Sequence, residues 1–91
     1  MKTIKRSTQF RKDFKRYANN PQKVSSLLEI VRLLENELPI PAHYKPHWLH
    51  GEFEGCMECH VGNDFLLIWI DETSDVIKLL RLGTHHELFG L

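Results

Sequence analysis

Phe65-Leu66-Leu67-Ile68-Trp69-Ile70 is almost wholly apolar, and a strand of that composition is buried on both faces or lies at the centre of its sheet. Two other strand-like runs flank it. Glu52 to Val61 lies between glycines, and Val76 to Leu82 follows the polar turn Asp71-Glu72-Thr73-Ser74-Asp75. Short turns between the three runs predict an antiparallel meander. Towards the N-terminus, Lys2 to Arg6 reads as a short strand with Ile4 its main apolar side chain. Ser7 or Thr8 can cap a following helix, in which Phe10, Phe14 and Tyr17 form one stripe before a stop near Asn19-Asn20-Pro21. Asn20 caps a second helix with Pro21 in its first position, where a missing N–H costs nothing. Val24, Leu27, Leu28, Val31, Leu34 and Leu38 keep helical spacing, so this helix is expected to pack along its whole length and to end before Pro39. The expectation is a single α+β domain over residues 1–91: an N-terminal strand and a two-helix hairpin on an antiparallel β-sheet, closed by a short C-terminal helical turn.

The chain of 91 residues is large enough for one core but not for a deep cofactor cavity. Its 42% apolar content is that of a globular protein, which excludes wholesale disorder. Net charge is zero, yet residues 1–46 carry ten Lys/Arg against four Asp/Glu (+6), and residues 47–91 carry two against eight (−6). A basic half of this kind suits a phosphate backbone or an acidic partner, and equally a set of solvated helix faces. Met1-Lys2-Thr3-Ile4-Lys5-Arg6 leads into charged residues, and no segment reaches membrane-spanning length, so a cytoplasmic location without membrane contact is expected.

Histidines carry the chemistry. His85 directly follows the last apolar strand, between Arg81 and Phe89. His60 stands four residues before Asp64, at the turn into the central strand, and His47 lies in the Pro-rich loop 39–51, which also holds Trp48. Imidazoles exchange protons near neutral pH, so several of them converging with an arginine suit acid–base chemistry on a phosphate. Each residue also has a plainer role: His60 as a half-buried strand histidine, His85 as part of a helical turn capped by Thr84, Phe89 as core. Trp48 and Trp69 are assigned to packing.

Cys56-Met57-Glu58-Cys59-His60 matches the attachment motif of c-type haem, but that chemistry needs export. In a strand, Cys56 and Glu58 point to one face and Met57 and Cys59 to the other. A zinc half-site lacks a second half with the usual spacing, so neither a cofactor nor a metal is expected.

Four segments together resemble the RelE/ParE superfamily of bacterial toxins, and within it the YafQ-like branch. They are Phe10-Arg11-Lys12-Asp13, Leu38-Pro39-Ile40-Pro41-Ala42, Tyr44-Lys45-Pro46-His47-Trp48-Leu49-His50-Gly51, and Gly83-Thr84-His85 with Leu88-Phe89-Gly90. The resemblance spans essentially the whole chain. It implies a RelE-like fold and a type II toxin that cleaves mRNA in the ribosomal A site, without metal, and is silenced by a cognate antitoxin in a heteromeric complex. Carried over by position, the working residues are His47, His60, Asp64, His85 and Phe89. His85 is then expected as general acid, and Asp64 and His60 as base and base-orienting partner in an order the residues leave open. His47, if protonated, steadies phosphate charge, while Arg81 assists in binding RNA and Phe89 stacks on a base. The chain departs from the family pattern at Met57, where an arginine is common, and at Phe65, where a tryptophan is common. Two other classes stay open: a toxin of the same fold that binds a protein target such as gyrase, which needs no histidine constellation, and a non-catalytic module, either a decayed toxin kept for antitoxin-bound repression or a metal-binding domain built on Cys56, Cys59 and histidines.

Overall fold

The computed structural model describes residues 1–90. Ten short elements follow one another: β1 (Thr3–Arg6), α1 (Thr8–Lys15), α2 (Pro21–Glu35), a 3-10 turn (Ala42–Tyr44), β2 (His47–Trp48), a second 3-10 turn (Gly51–Phe53), β3 (Met57–Gly62), β4 (Phe65–Thr73), β5 (Val76–Gly83) and α3 (His85–Phe89). The strands form one sheet in the order β1-β5-β4-β3-β2. β4 is third in that order, and Leu66, Leu67 and Ile68 are wholly buried, as their composition requires. Alternation sends Phe65, Leu67 and Trp69 towards the helices, and Leu66 and Ile68 to the opposite face.

Both faces are covered. Phe10 from α1 and Leu27, Ile30 and Leu34 from α2 pack on the first face with Cys59, Leu79 and Leu82. On the second, Leu88 of α3 packs against Cys56, Leu66 and Ile68, with Leu49, Phe53 and Phe89 at its margin. The helix starts follow the sequence. The Ser7 hydroxyl accepts from the Phe10 amide at 2.9 Å, and the Asn20 side chain accepts from Lys23 at 3.1 Å.

Four features depart from expectation. The meander β2–β5 is antiparallel, but β1 pairs with β5 in parallel register, Thr3 opposite Val76 and Ile4 opposite Ile77, so the sheet is mixed. Strand direction leaves no trace in a period-two pattern. It is fixed here by Ser7, whose amide donates to the Leu79 carbonyl at 2.9 Å and whose hydroxyl donates to the Leu80 carbonyl at 2.8 Å, steering the chain straight into α1. The buried line of α2 is Leu27, Ile30 and Leu34, whereas Leu28 and Leu38 are exposed, so the packed face is rotated from the one assigned. β3 starts at Met57 rather than Glu52, because Gly51–Phe53 forms a 3-10 turn. Finally, the loop contributes an edge strand, in which Trp48 is 61% exposed and packs on no core; Trp69 does pack.

Candidate active site

His47 on β2, His60 on β3 and His85 and Phe89 on α3 form a continuous row. Ring centroids lie 6.3 Å apart for His47–His60, 5.8 Å for His60–His85 and 6.4 Å for His85–Phe89. Phe53 meets Phe89 edge-on at 5.8 Å and closes the row. Residues from three elements converge because the β2–β3–β4 ladder sets His47 opposite Glu58 and His60 opposite Leu66, while α3 folds back over the same face.

His85 is the first residue of α3, and its position is over-determined. The Thr84 hydroxyl accepts from the Glu87 amide at 3.1 Å while the Glu87 carboxylate accepts from the Thr84 amide at 2.9 Å, a reciprocal capping box. Glu87 also accepts from Tyr17 Oη and, at 3.2 Å, from Arg16. Those hydrogen bonds, Tyr17's first, hold the Glu87 carboxyl below its ordinary pKa against the opposing effect of burial, while burial and Glu87 push the Tyr17 phenol up to about 12. Gly83 has no alternative: at φ +156° a Cβ would come within 2.5 Å of the Glu87 carboxylate.

Asp64 sits at φ 47° in the β3–β4 turn, where its Oδ1 accepts from the His85 amide at 2.9 Å and from His85 Nδ1 at 2.7 Å. The backbone bond first, then the ring bond, holds this carboxyl below its usual range. Asp64 therefore pairs with His85 and not, as expected, with His60. With Nδ1–H committed to a carboxylate, Nε2 of His85 is the nitrogen left for a substrate.

His60 is half-buried. Burial, and then the positive charges of Lys45, His85 and His47, depress its pKa, with Asp64 opposing. His47 Nδ1 lies 2.8 Å from the Lys45 carbonyl and Nε2 lies 3.2 Å from Glu58 Oε1. The carbonyl only accepts, so Nδ1 carries a hydrogen, and Nε2 faces the Glu58 carboxyl. Glu58 was not singled out from the sequence. It is 3% exposed, and its Oε2 has no hydrogen-bond partner among the described residues. Burial pushes its carboxyl up while His47 and His85 pull it down. The available signal was its position two residues before His60 in a strand, hence on the same face.

Arg81 is not free in the way the sequence suggested. Its Nε donates to Asp13 Oδ2 at 2.9 Å and its Nη2 to Asp13 Oδ1 at 3.4 Å. Asp13 is fully buried and also accepts from the Leu82 amide at 3.0 Å and from Gln9 at 3.1 Å. Burial would raise this carboxyl, but those bonds outweigh it and hold the pKa low. Cys56 and Cys59 are free, buried thiols in different cores on opposite faces, which matches their alternation; burial pushes Cys59 up to about 12. Among the described residues no group of three His, Cys, Asp or Glu is arranged to hold a metal ion. Phe65 is a core residue against Tyr17, ring centroids 4.7 Å apart.

Comparison with known proteins gives a consistent answer. Residues 2–90 match the family model described as bacterial toxin of type II toxin-antitoxin system, YafQ. The mRNA interferase toxin YafQ of Escherichia coli K12 is 38% identical over 88 residues, covering 96% of this chain and 95% of that protein. Among solved structures, the E. coli DinJ–YafQ complex matches with a TM-score of 0.85 and 36% identity, over 99% of this chain and 100% of that one. A copper-bound mutant toxin from Helicobacter pylori matches with a TM-score of 0.88 and 32% identity, over 98% and 100%.

Proposed function

This chain belongs to the YafQ family of type II toxins, and we propose that it is an mRNA endoribonuclease that works on the ribosome by metal-independent acid–base transesterification. The observation that carries the proposal is the Asp64–His85 pair standing in a row with His60 and His47. The 2′-hydroxyl of the RNA attacks the adjacent phosphorus, O2′–P forms and P–O5′ breaks, leaving a 2′,3′-cyclic phosphate and a 5′-hydroxyl. A base must take the 2′-proton, an acid must protonate O5′, and positive charge must meet the non-bridging oxygens.

His85 is the acid. Asp64 fixes its ring and steadies the imidazolium, as a carboxylate does behind other catalytic histidines. His60, whose burial and cationic neighbours favour the neutral ring, is the base. In this reading His60 takes the proton, and Asp64, hydrogen-bonded to His85, orients the acid rather than the base. His47, its Nε2 3.2 Å from Glu58, supplies the positive charge. Arg81 contributes an RNA contact through Nη1, which makes no hydrogen bond among the described residues, and Phe89 stacks on a base. Side chains thus fill every role, and placement of the mRNA by the ribosome supplies the rest of the rate.

By analogy with the DinJ–YafQ assembly, the protein is held inactive by a cognate antitoxin in a heteromeric complex. Its place of action is the cytoplasm; in the described residues no helix is long and apolar enough to cross a membrane. The test is induced expression of wild type and His85→Ala with primer extension on a reporter mRNA. Growth arrest with in-frame cuts that vanish in the variant is expected. Arrest without cuts in both proteins would refute the nuclease and favour a toxin that binds a protein target.

A further inference from the structure

Beside the histidine row lies a pocket of about 300 Å³ lined by His43, Tyr44, Lys45, His60, Val61, Gly62 and Asn63. His60 belongs to both. The pocket forms where the Ala42–Tyr44 turn meets the end of β3, and its groups are of unlike kinds. Tyr44 is half-buried and leans on the helix-side core, so its ring is anchored. His43 is exposed and held against it, ring centroids 4.1 Å apart and planes tilted by 38°. Lys45, at φ 53°, brings an ammonium to the same rim, close enough for its charge to act on His60. Asn63 is exposed, and its side-chain amide makes no hydrogen bond among the described residues. Packing explains Tyr44 and leaves His43, Lys45 and Asn63 unexplained.

A supported aromatic face, a cation and an unengaged amide within one pocket are the three contacts by which proteins hold an unpaired nucleotide: stacking, phosphate pairing and edge recognition. We infer that this pocket is a nucleobase subsite, seating the nucleotide that flanks the cleaved linkage. His43 stacks on the base, the Asn63 amide reads its edge, and Lys45 pairs with its phosphate. The inference rests on the endoribonuclease reading above, because it is His60 that joins the subsite to the reacting phosphate. Its consequence is that sequence preference next to the cut is set by His43 and Asn63, neither of which takes part in proton transfer.

The test uses a single-stranded RNA pentamer with the central 2′-hydroxyl replaced by hydrogen, so that it binds without being cut, titrated into the full chain and followed by NMR. The Asn63 side-chain amide and the His43 ring are expected to shift together with His85. His43→Ala and Asn63→Ala should each weaken pentamer binding by about tenfold, the scale of one stacked or edge-paired base. In parallel, primer extension should show that both variants still cut the reporter mRNA but with a flattened base preference beside the cut. A pentamer that shifts His85 and Phe89 but leaves Asn63 and His43 unmoved would overturn the subsite, as would no binding or an unchanged preference in both variants. A pentamer seated at Asn63 in a wild-type protein that makes no cuts would keep the subsite and refute the nuclease.

Discussion

Two acid–base pairs in this molecule have nearly the same geometry and opposite surroundings. Asp13 and Arg81 meet at 2.9 Å beneath the helices; Asp64 and His85 meet at 2.7 Å on the far side of the sheet. Asp13 is fully buried, and its two oxygens are spent on Arg81, the Leu82 amide and Gln9. Asp64 is 53% exposed and places both its bonds, through a single oxygen, on one residue. The Asp13 carboxylate, with no oxygen left over, holds β5 against α1. The unsaturated pair leaves Nε2 of an oriented imidazole facing outward. Both pairs lower the carboxylate pKa, so the shift alone does not separate structure from chemistry; what remains unpaired does.

The comparison is sharpened first by removing the histidine. His85→Ala should cut single-turnover cleavage on mRNA-programmed ribosomes by about 10²- to 10⁴-fold, the usual contribution of a general acid, with thermal unfolding unchanged. A large loss of stability in that variant would mean that the two pairs do not differ in kind. Next comes Asp13→Ala, which strands a guanidinium and a buried amide; urea denaturation should show a loss of about 3 kcal/mol, the scale of breaking a buried ion pair.

The link between the two regions is Glu87, bound to Tyr17 on one side and to the cap of α3 on the other. Tyr17→Phe removes one hydrogen bond to a charged group and should cost about 1.5 kcal/mol. If α3 depends on that anchor for its pose, kcat should fall while KM holds. A rise in KM with kcat unchanged would place Tyr17 in binding instead.

The smallest effects are the pH dependences, and they have opposite signs. Asp13 has a lowered folded pKa, so its stabilisation is present above the unfolded carboxylate pKa and is lost as pH falls through the folded value. Glu58 has a raised folded pKa, so stability is lost as pH rises from the unfolded to the folded value. Asp13→Asn should therefore flatten the acid limb of the stability profile, whereas Glu58→Gln should raise stability at neutral pH while lowering the cleavage rate. Calorimetric scans from acid to neutral pH distinguish the two; a destabilised Glu58→Gln would make Glu58 a structural partner of His47.

What could be read from the sequence was local. The central strand, the Ser7 and Asn20 caps, Pro21 at the start of α2 and the alternation of Cys56 and Cys59 all depend on residues within a few positions of one another. The histidines were legible because imidazoles cluster rarely without cause. What escaped depends on partners far along the chain: the parallel pairing of β1 with β5, the grip of Asp13 on Arg81 across 68 residues, and the choice of His85 over His60 by Asp64 across 21. Ile30 was missed for a different reason: α2 carries more apolar residues than one face can hold, and only the neighbouring sheet decides which are covered. Glu58 looked like one more charge in an amphipathic strand until β2 closed over it and brought His47 to its carboxylate.

The central claim is that the histidine row moves protons for an attack by the RNA's own 2′-hydroxyl. It is tested most directly with programmed ribosomes carrying two mRNAs that differ only at the attacked sugar, one with the 2′-hydroxyl and one with hydrogen in its place. The account predicts a cut in the first, ending in a 2′,3′-cyclic phosphate, and none at that position in the second. A cut of similar rate in the deoxy-substituted message would contradict it, because the nucleophile would then have to be water.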